Sequence, residues 1–495
     1  MDLDPLVCRQ AVLARDARFD GRFFTAVKTT GIYCRPICPA RPPKPENCRY
    51  FPTAAAAQEA GFRPCLRCRP ETAPDLGAWR GTSNTVSRAL ALIDTGVLDD
   101  GDVDTLAMRL GVGERHLRRL FQEHLGAAPV SVAQTRRVLL AKQLLHETDL
   151  SMTDVALASG FGSLRRFNET FAALFNRPPG ALRRIRNGVG GASVTLSLGY
   201  RPPFDWDAIL AFLVPRSIPG VEIVRDGVYH RTIAVAGGAG WVMVAHDGAR
   251  NRLRATVRLP RLDALSGVVA RLRRMFDLAA DPAVIGAALA VDPTLAPLVA
   301  ARPGLRVPGA WDGFELAVRA ILGQQITVTA AIRLAGIITR TWGAALDCDD
   351  APPGLTHLFP TPAALAQATI GGMPTARALA ISHLAAVAAD NPDLFDREAD
   401  LEASVAKLVR LKGIGDWTAQ YIAMRALREP DAFPAADIGL MRAMDAGSGR
   451  PSAAALLQSA EAWRPWRAYA AQHLWMADSD KINLAKAEPV HALAS

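Results

Sequence analysis

Two pairs of closely spaced cysteines constrain the first part of this chain more than any other feature: Cys34-x3-Cys38 in "TTGIYCRPICPAR" and Cys65-x2-Cys68 in "GFRPCLRCRP". Thiols at such spacing serve as a disulfide half, a redox pair or half of a metal site. Two short loops can each wrap one edge of a tetrahedron, which is how a chain builds a four-thiolate zinc site. Seven cysteines are an odd number, and this argues against a disulfide framework. Cys8 and Cys48 are then spare, expected as small buried apolar groups, while Cys348 lies in the acidic stretch "LDCDDAPPG". A domain of about 75 residues has little core of its own, so one zinc ion would staple it. A zinc-bound thiolate also stays deprotonated and nucleophilic, so an exposed ligand can attack an electrophilic carbon.

At 495 residues the chain exceeds one ordinary core and predicts three or four domains. No apolar run reaches the roughly 18 residues of a membrane span, and the opening "MDLDPLVCRQ" is unlike a signal peptide. A cytoplasmic, nucleoid-associated protein with no membrane partner is expected. The formal charge of +9 and pI of about 9.4 point to an anionic partner. The positive excess lies almost wholly in residues 1–190, carried by Arg, the side chain that forks onto phosphates and guanine edges.

"FTAVKTTGIYCRPICPAR" followed by "AAQEAGFRPCLRC" resembles the N-terminal domain of the bacterial adaptive-response protein Ada over residues 5–72. The resemblance implies that Cys34 irreversibly takes a methyl group from a methylphosphotriester in DNA, with Cys38, Cys65 and Cys68 as the other zinc ligands. Four thiolates on Zn²⁺ carry a net charge of −2, and methylating one leaves −1, so repulsion of phosphate falls and DNA binding strengthens. Ada proper continues into a second methyl-transfer domain with a Pro-Cys-His-Arg motif. This sequence has none, so that activity is not expected.

After a linker-like stretch at 76–83, residues 103–129 show apolar positions at helical spacing, a Gly-Val-Gly break at 111–113 and an Arg-rich second helix. Residues 151–184 repeat the plan with a break at Gly160-Phe161-Gly162. Each break can set two short helices at the angle that lets the second enter a major groove. The tandem resembles the DNA-binding domain of AraC-type regulators over about 84–186. Candidate DNA contacts are Arg115, Arg118, Arg119, Arg165, Arg166 and Asn168.

"RNGVGGAS" (186–193) reads as a flexible boundary, and the β-branched runs from 193 onward predict a small sheet with helices through about 300. Beyond 311 the pattern is helical. In "LVRLKGIGDWTAQYIAMRAL", Gly413 and Gly415 sit between helical segments, where glycine permits positive φ and successive N–H groups can hold a phosphate. "DAFPAADIGLMRAM" then places Asp437 at the end of an apolar loop. Together these resemble the helix-hairpin-helix DNA glycosylases of the AlkA type over residues 193–480. The resemblance implies Asp437 as the catalytic carboxylate, a base pocket of Trp417, Tyr421, Trp475 and Phe212, and a wedge at Gln325. It also brings a hairpin-bound monovalent cation but no cofactor for the glycosylase reaction. This chain departs from the family with Ile438 in place of Tyr and Gln325 in place of Leu. No lysine nucleophile accompanies Asp437, so backbone cleavage through a Schiff base is not expected.

The expected fold is multidomain α+β: a small zinc-bound α/β domain (1–75), an all-α double helix-turn-helix domain (84–186), a small α+β sheet domain (193–300) and an all-α helix-hairpin-helix domain (301–490). The expected function is alkylation-damage repair and response: methyl transfer, sequence-specific regulation through double-stranded DNA with RNA polymerase as partner, and monofunctional excision of alkylated purines, the chain acting as a monomer. Two rivals stay open: a damage-sensing transcription factor whose C-terminal half binds DNA without cutting glycosidic bonds, and a glycosylase whose N-terminal half is only a zinc-stapled tether.

Overall fold

Four short strands form at the N-terminus, β1 (Phe24–Val27), β2 (Ile32–Cys34), β3 (Cys48–Phe51) and β4 (Arg63–Pro64), ordered β3-β1-β2-β4, with β1 buried at three successive residues. The computed structural model describes residues 3–74, 84–183, 193–445, 447 and 449–487. The linker expected at 76–83, and all but Ser193 of that expected at 186–193, lie outside the described residues. β2 and β4 pair in parallel, Ile32 opposite Arg63 and Tyr33 opposite Pro64. The Cys65 N–H then donates to the Tyr33 carbonyl at 3.0 Å, so the register brings the two cysteine pairs together.

The helix-turn-helix units are α1 (Val103–Leu110) with α2 (Glu114–Leu125), and α4 (Met152–Ala158) with α5 (Leu164–Phe175), joined by α3 (Pro129–Glu147). Each second helix buries a stripe four residues apart: Leu117, Phe121 and Leu125 on α2, Phe167, Phe171 and Phe175 on α5. The breaks fall where the glycines predict. Gly160 has φ +84, and a Cβ there would lie 2.4 Å from the Asp99 carboxylate, which Arg136 and Arg137 hold.

Five antiparallel strands follow in the order β5-β9-β8-β7-β6: β5 (Ser193–Gly199), β6 (Glu222–Arg225), β7 (Val228–Val235), β8 (Gly238–Asp247) and β9 (Arg252–Arg258). β5 is an edge strand, and α3 covers it: Gln143 donates to the Ser197 carbonyl at 2.7 Å, and the Ser197 N–H donates to Glu147 at 2.8 Å. The helices that matter below are α6 (Trp206–Leu213), α7 (Leu265–Met275), α8 (Gly313–Leu322), α9 (Leu401–Val409), α10 (Asp416–Arg425), α11 (Ile438–Ala443) and α12 (Arg467–Ala487). Among the described residues no helix is long and apolar enough to cross a membrane.

The fold is therefore mixed α and β, a small sheet domain, a helical double unit, a second sheet and a helical body. The apolar cores cut across the expected boundaries. α3, α4, α5, the second sheet and α7 share one core, which crosses 186–193 through Phe167, Phe171, Leu196 and Leu198. The helical core takes in Ile218, Val221 and Ala280, all ahead of the expected boundary at 300, while Trp311 beyond it stays in the core of the second sheet.

The zinc-domain segment and α3 are joined by a buried ionic cluster. Lys142 Nζ, fully buried, donates to Glu71 and to the Cys65 carbonyl at 3.0 Å, and Arg69 bridges Glu71 and Glu147. Burial alone would raise the Glu71 carboxyl, but Lys142, His146 and Arg69 outweigh it and hold it down at about 2. Lys142→Ala removes the buried cation from Glu71 Oε2 and leaves Arg69 and His146 alone on the carboxylate, so it is expected to lower the unfolding free energy by about 3 kcal/mol in chemical denaturation. Because the folded pKa is depressed, the Glu71 contribution is full above the ordinary value of 4.5 and is lost as pH falls towards 2. The wild type should therefore lose stability through that window more steeply than Glu71→Gln.

Candidate functional site

The four thiols Cys34, Cys38, Cys65 and Cys68 place their sulfurs within 4.8 Å of one another, the sole such metal-ligating group among the described residues. Zinc–thiolate bonds of about 2.3 Å set sulfurs roughly 3.8 Å apart in a tetrahedron, so the cluster fits one zinc ion. Backbone N–H groups of Arg35 and Arg67 donate to Cys68 and Cys65 at 3.3 Å. Crowding prevents all four from ionising alike without a cation. Contacts with Cys38, Cys65 and Cys68, then burial, push the Cys34 thiol up, whereas contact with Cys34 pulls Cys38 down to about 7 and Cys65 lower still. Cys65 and Cys68 are buried, Cys34 and Cys38 half-buried, so an attacking sulfur must be one of the latter two. Arg35 braces the site, donating to Asp20 at 2.8 Å, to Thr72 at 2.7 Å and to the Cys68 carbonyl at 3.1 Å. Of the spare cysteines, Cys8 packs in the core as expected, but Cys48 is half-exposed on β3 and donates to the Lys44 carbonyl.

The second site lies in the helical body. Asp437 caps α11: its Oδ1 accepts from the Leu440 N–H at 3.1 Å and from the Trp475 indole at 2.9 Å, and its Oδ2 accepts from the Trp417 indole at 3.0 Å. Trp417, Tyr421 and Arg425 stand four residues apart on one face of α10. Trp417 stacks on Tyr421 at 5.5 Å with the planes 7° apart, and Trp475 from α12 meets Tyr421 edge-on at 6.3 Å. A half-buried carboxylate thus sits among three partly open rings. Phe212, on α6, differs from the other three: it is buried, and the guanidiniums of Arg216 and Arg425 lie over its ring at 4.0 and 4.6 Å. It reaches the ring wall through Arg425, which donates to the Tyr421 hydroxyl at 2.6 Å. Burial would raise that phenol, but Arg425, Arg216 and Arg319 lower it.

Two residues here escaped the sequence reading. Arg425 is anchored on the Pro308 and Gly309 carbonyls, and its signal was the helical spacing from Trp417 through Tyr421. Gly439 lets the chain pass close to the carboxylate: a Cβ would come within 3.0 Å of Asp437 Oδ1 and 3.3 Å of Trp475, so one of these side chains would have to shift. A glycine two residues after the carboxylate was its only trace.

The hairpin joins α9 to α10. Gly413 has φ +86, and a Cβ there would overlap Ala380 at 2.4 Å. Gly415 has φ −88 and faces open space, so the positive φ expected of both glycines holds at Gly413 alone. Gln325 is exposed at φ +60, a conformation costing a residue with a Cβ about 1–2 kcal/mol. Arg115, Arg118 and Arg119 are exposed on α2, as are Arg165, Arg166 and Asn168 on α5. Arg118 pairs with Glu114 at 2.6 Å and Arg165 with Glu169 at 2.8 Å, exposed contacts weak enough to yield to a phosphate.

Three families match in tandem: the metal binding domain of Ada over residues 7–71, a helix-turn-helix domain over 106–185 and the AlkA N-terminal domain over 195–312. The chain is 41% identical, over 96% of its length and 97% of the relative, to the probable bifunctional transcriptional activator/DNA repair enzyme AlkA of Mycobacterium tuberculosis strain H37Rv. It is 37% identical to DNA-3-methyladenine glycosylase 2 of Escherichia coli K12, covering 56% of this chain and 96% of that one. The fold of the C-terminal half resembles the 3-methyladenine DNA-glycosylase from Archaeoglobus fulgidus, with a TM-score of 0.50 and 24% identity over 57% of this chain and 98% of that one.

The purified protein is expected to hold one zinc per chain by elemental analysis, and Cys65→Ser or Cys68→Ser to lose most of it. Chelation should lower the thermal midpoint of the wild type and leave that of the zinc-free variants unchanged.

Proposed function

We propose a function from one premise: this chain belongs to the family of the bifunctional transcriptional activator/DNA repair enzymes AlkA. It repairs DNA alkylation at two separate places and reports the damage through its helix-turn-helix units. The methyl-acceptor part spans 1–75, the regulatory part 84–186 and the glycosylase 193–300 with 301–490. When bound to the four cysteines, zinc keeps them ionised near neutral pH. Cys34 Sγ attacks the methyl carbon of a methylphosphotriester; the S–C bond forms, the C–O bond breaks and an ordinary phosphodiester leaves, so the sulfur is spent. Arg115, Arg118 and Arg119, with Arg165, Arg166 and Asn168, then read the DNA.

The observation that carries the excision step is the Asp437 carboxylate held by two indole N–H groups among three partly open rings. A 3-methylated adenine or 7-methylated guanine is cationic, so electron-rich faces such as those of Trp417, Tyr421 and Trp475 attract it once it leaves the stack. As the N-glycosidic bond stretches, positive charge grows on the sugar, and Asp437 stabilises it. The base departs neutral with the electron pair of the broken C–N bond, water adds to the sugar cation and its proton passes to solvent, and no general acid is needed. Phe212 lies behind this wall, Gly413 and Gly415 grip a phosphate, and Gln325 fills the vacated stack. The reading also takes double-stranded DNA as partner, RNA polymerase as the protein acted through, a monomeric chain in the cytoplasm at the nucleoid, and a monovalent cation at the hairpin.

Incubation with methylated DNA should release free alkylated purines and leave one methyl group on the peptide containing Cys34. Asp437→Asn should slow release by about 10²–10³-fold without touching the methyl transfer. Base release that is absent in the wild type and unaltered by Asp437→Asn would leave a sensor without glycosylase activity, and an unmodified Cys34 peptide would leave a zinc-stapled tether.

A further inference from the structure

Gln325 lies in the loop between α8 and the helix Val328–Trp342, its exposed side chain on a left-handed backbone. Surroundings must overrule the steric cost of that conformation in a residue with a Cβ. The neighbour Gln324 supplies them. Its side-chain amide donates to the Gly413 carbonyl at 2.9 Å and to the Thr418 hydroxyl at 3.1 Å, while the Arg377 guanidinium donates to the Gln324 carbonyl. Gly413 is in the hairpin turn and Thr418 in the first turn of α10, so one amide spans the wedge loop and the hairpin. The hairpin is where a backbone phosphate would be held.

The geometry points to Gln324 as a positioning residue that fixes the reach of Gln325 relative to the phosphate grip, making backbone binding and base extrusion one event. This rests on the glycosylase reading above and deepens it. Extrusion opposes pairing and full stacking only in a duplex, so the role has a signature that simple loss of structure lacks.

The test is single-turnover base release from a duplex carrying 7-methylguanine and from the same strand unpaired. Gln324→Ala should slow release from the duplex by about tenfold or more and from the single strand by no more than about twofold, with an unchanged thermal midpoint. Gln324→Glu, equal in size but without the N–H donor, should track it. Combined with Gln325→Gly, the duplex effect should be smaller than the product of the two separate effects. A readout without bond cleavage uses 2-aminopurine beside the lesion in the Asp437→Asn background. Its fluorescence should rise on binding, and the added Gln324→Ala should abolish the rise. Equal losses on both substrates, independent effects of the two substitutions or an undiminished rise overturns the inference. A wild type that releases no base from either substrate sinks the glycosylase reading, and the fluorescence arm still judges Gln324.

Discussion

One helix, α3, carries the contacts on which the assembly depends, and the buried Lys142–Glu71 pair is its critical joint. An ammonium and a carboxylate sealed from water persist only if each satisfies the other and their remaining bonding capacity finds partners. Here the surplus goes to the Cys65 carbonyl and to Arg69 and His146, all within the segment around the thiol site or on α3 itself. The same helix offers Arg136 and Arg137 to Asp99, and Gln143 and Glu147 to the edge of the second sheet. Its hydrophobic positions alternate with these polar ones around the whole circumference, which explains why eleven of its residues are buried and why it has no single apolar face.

The two chemistries differ in what the protein must provide. At the thiol cluster it provides crowding: four acidic groups that cannot ionise together until a dication relieves them. At Asp437 it provides restraint, with three N–H donors fixing both carboxylate oxygens while the site stays partly open. Two of the three rings that border this carboxylate, Trp417 and Trp475, are also its hydrogen-bond donors, so ring placement and charge placement are set by the same side chains.

Much of this was legible in the sequence because local spacing carried it. The cysteine pairs, the glycine breaks between α1 and α2 and between α4 and α5, the stripes on α2 and α5, and the apolar loop ending at Asp437 all express themselves within a few residues. What was not legible depends on contacts remote in the chain. Nothing near Tyr33 foretells that β4 will lie parallel to β2, and nothing near Glu71 names Lys142. Phe212 entered the expected base pocket through the family resemblance, and nothing near it in the chain except Arg216 foretells the guanidiniums of Arg216 and Arg425 over its ring. Gly415 looked equivalent to Gly413 because the motif is symmetric, yet only Gly413 abuts another helix.

The core shared by α4, α5 and the second sheet has a wider consequence. A chain whose functions were beads on a string could be cut between them or permuted at will. Phe167, Phe171, Leu196 and Leu198 instead belong to one buried cluster, so severing the recognition unit from the excision unit would uncover apolar surface on both. Through that seam the stability of each unit leans on the presence of the other.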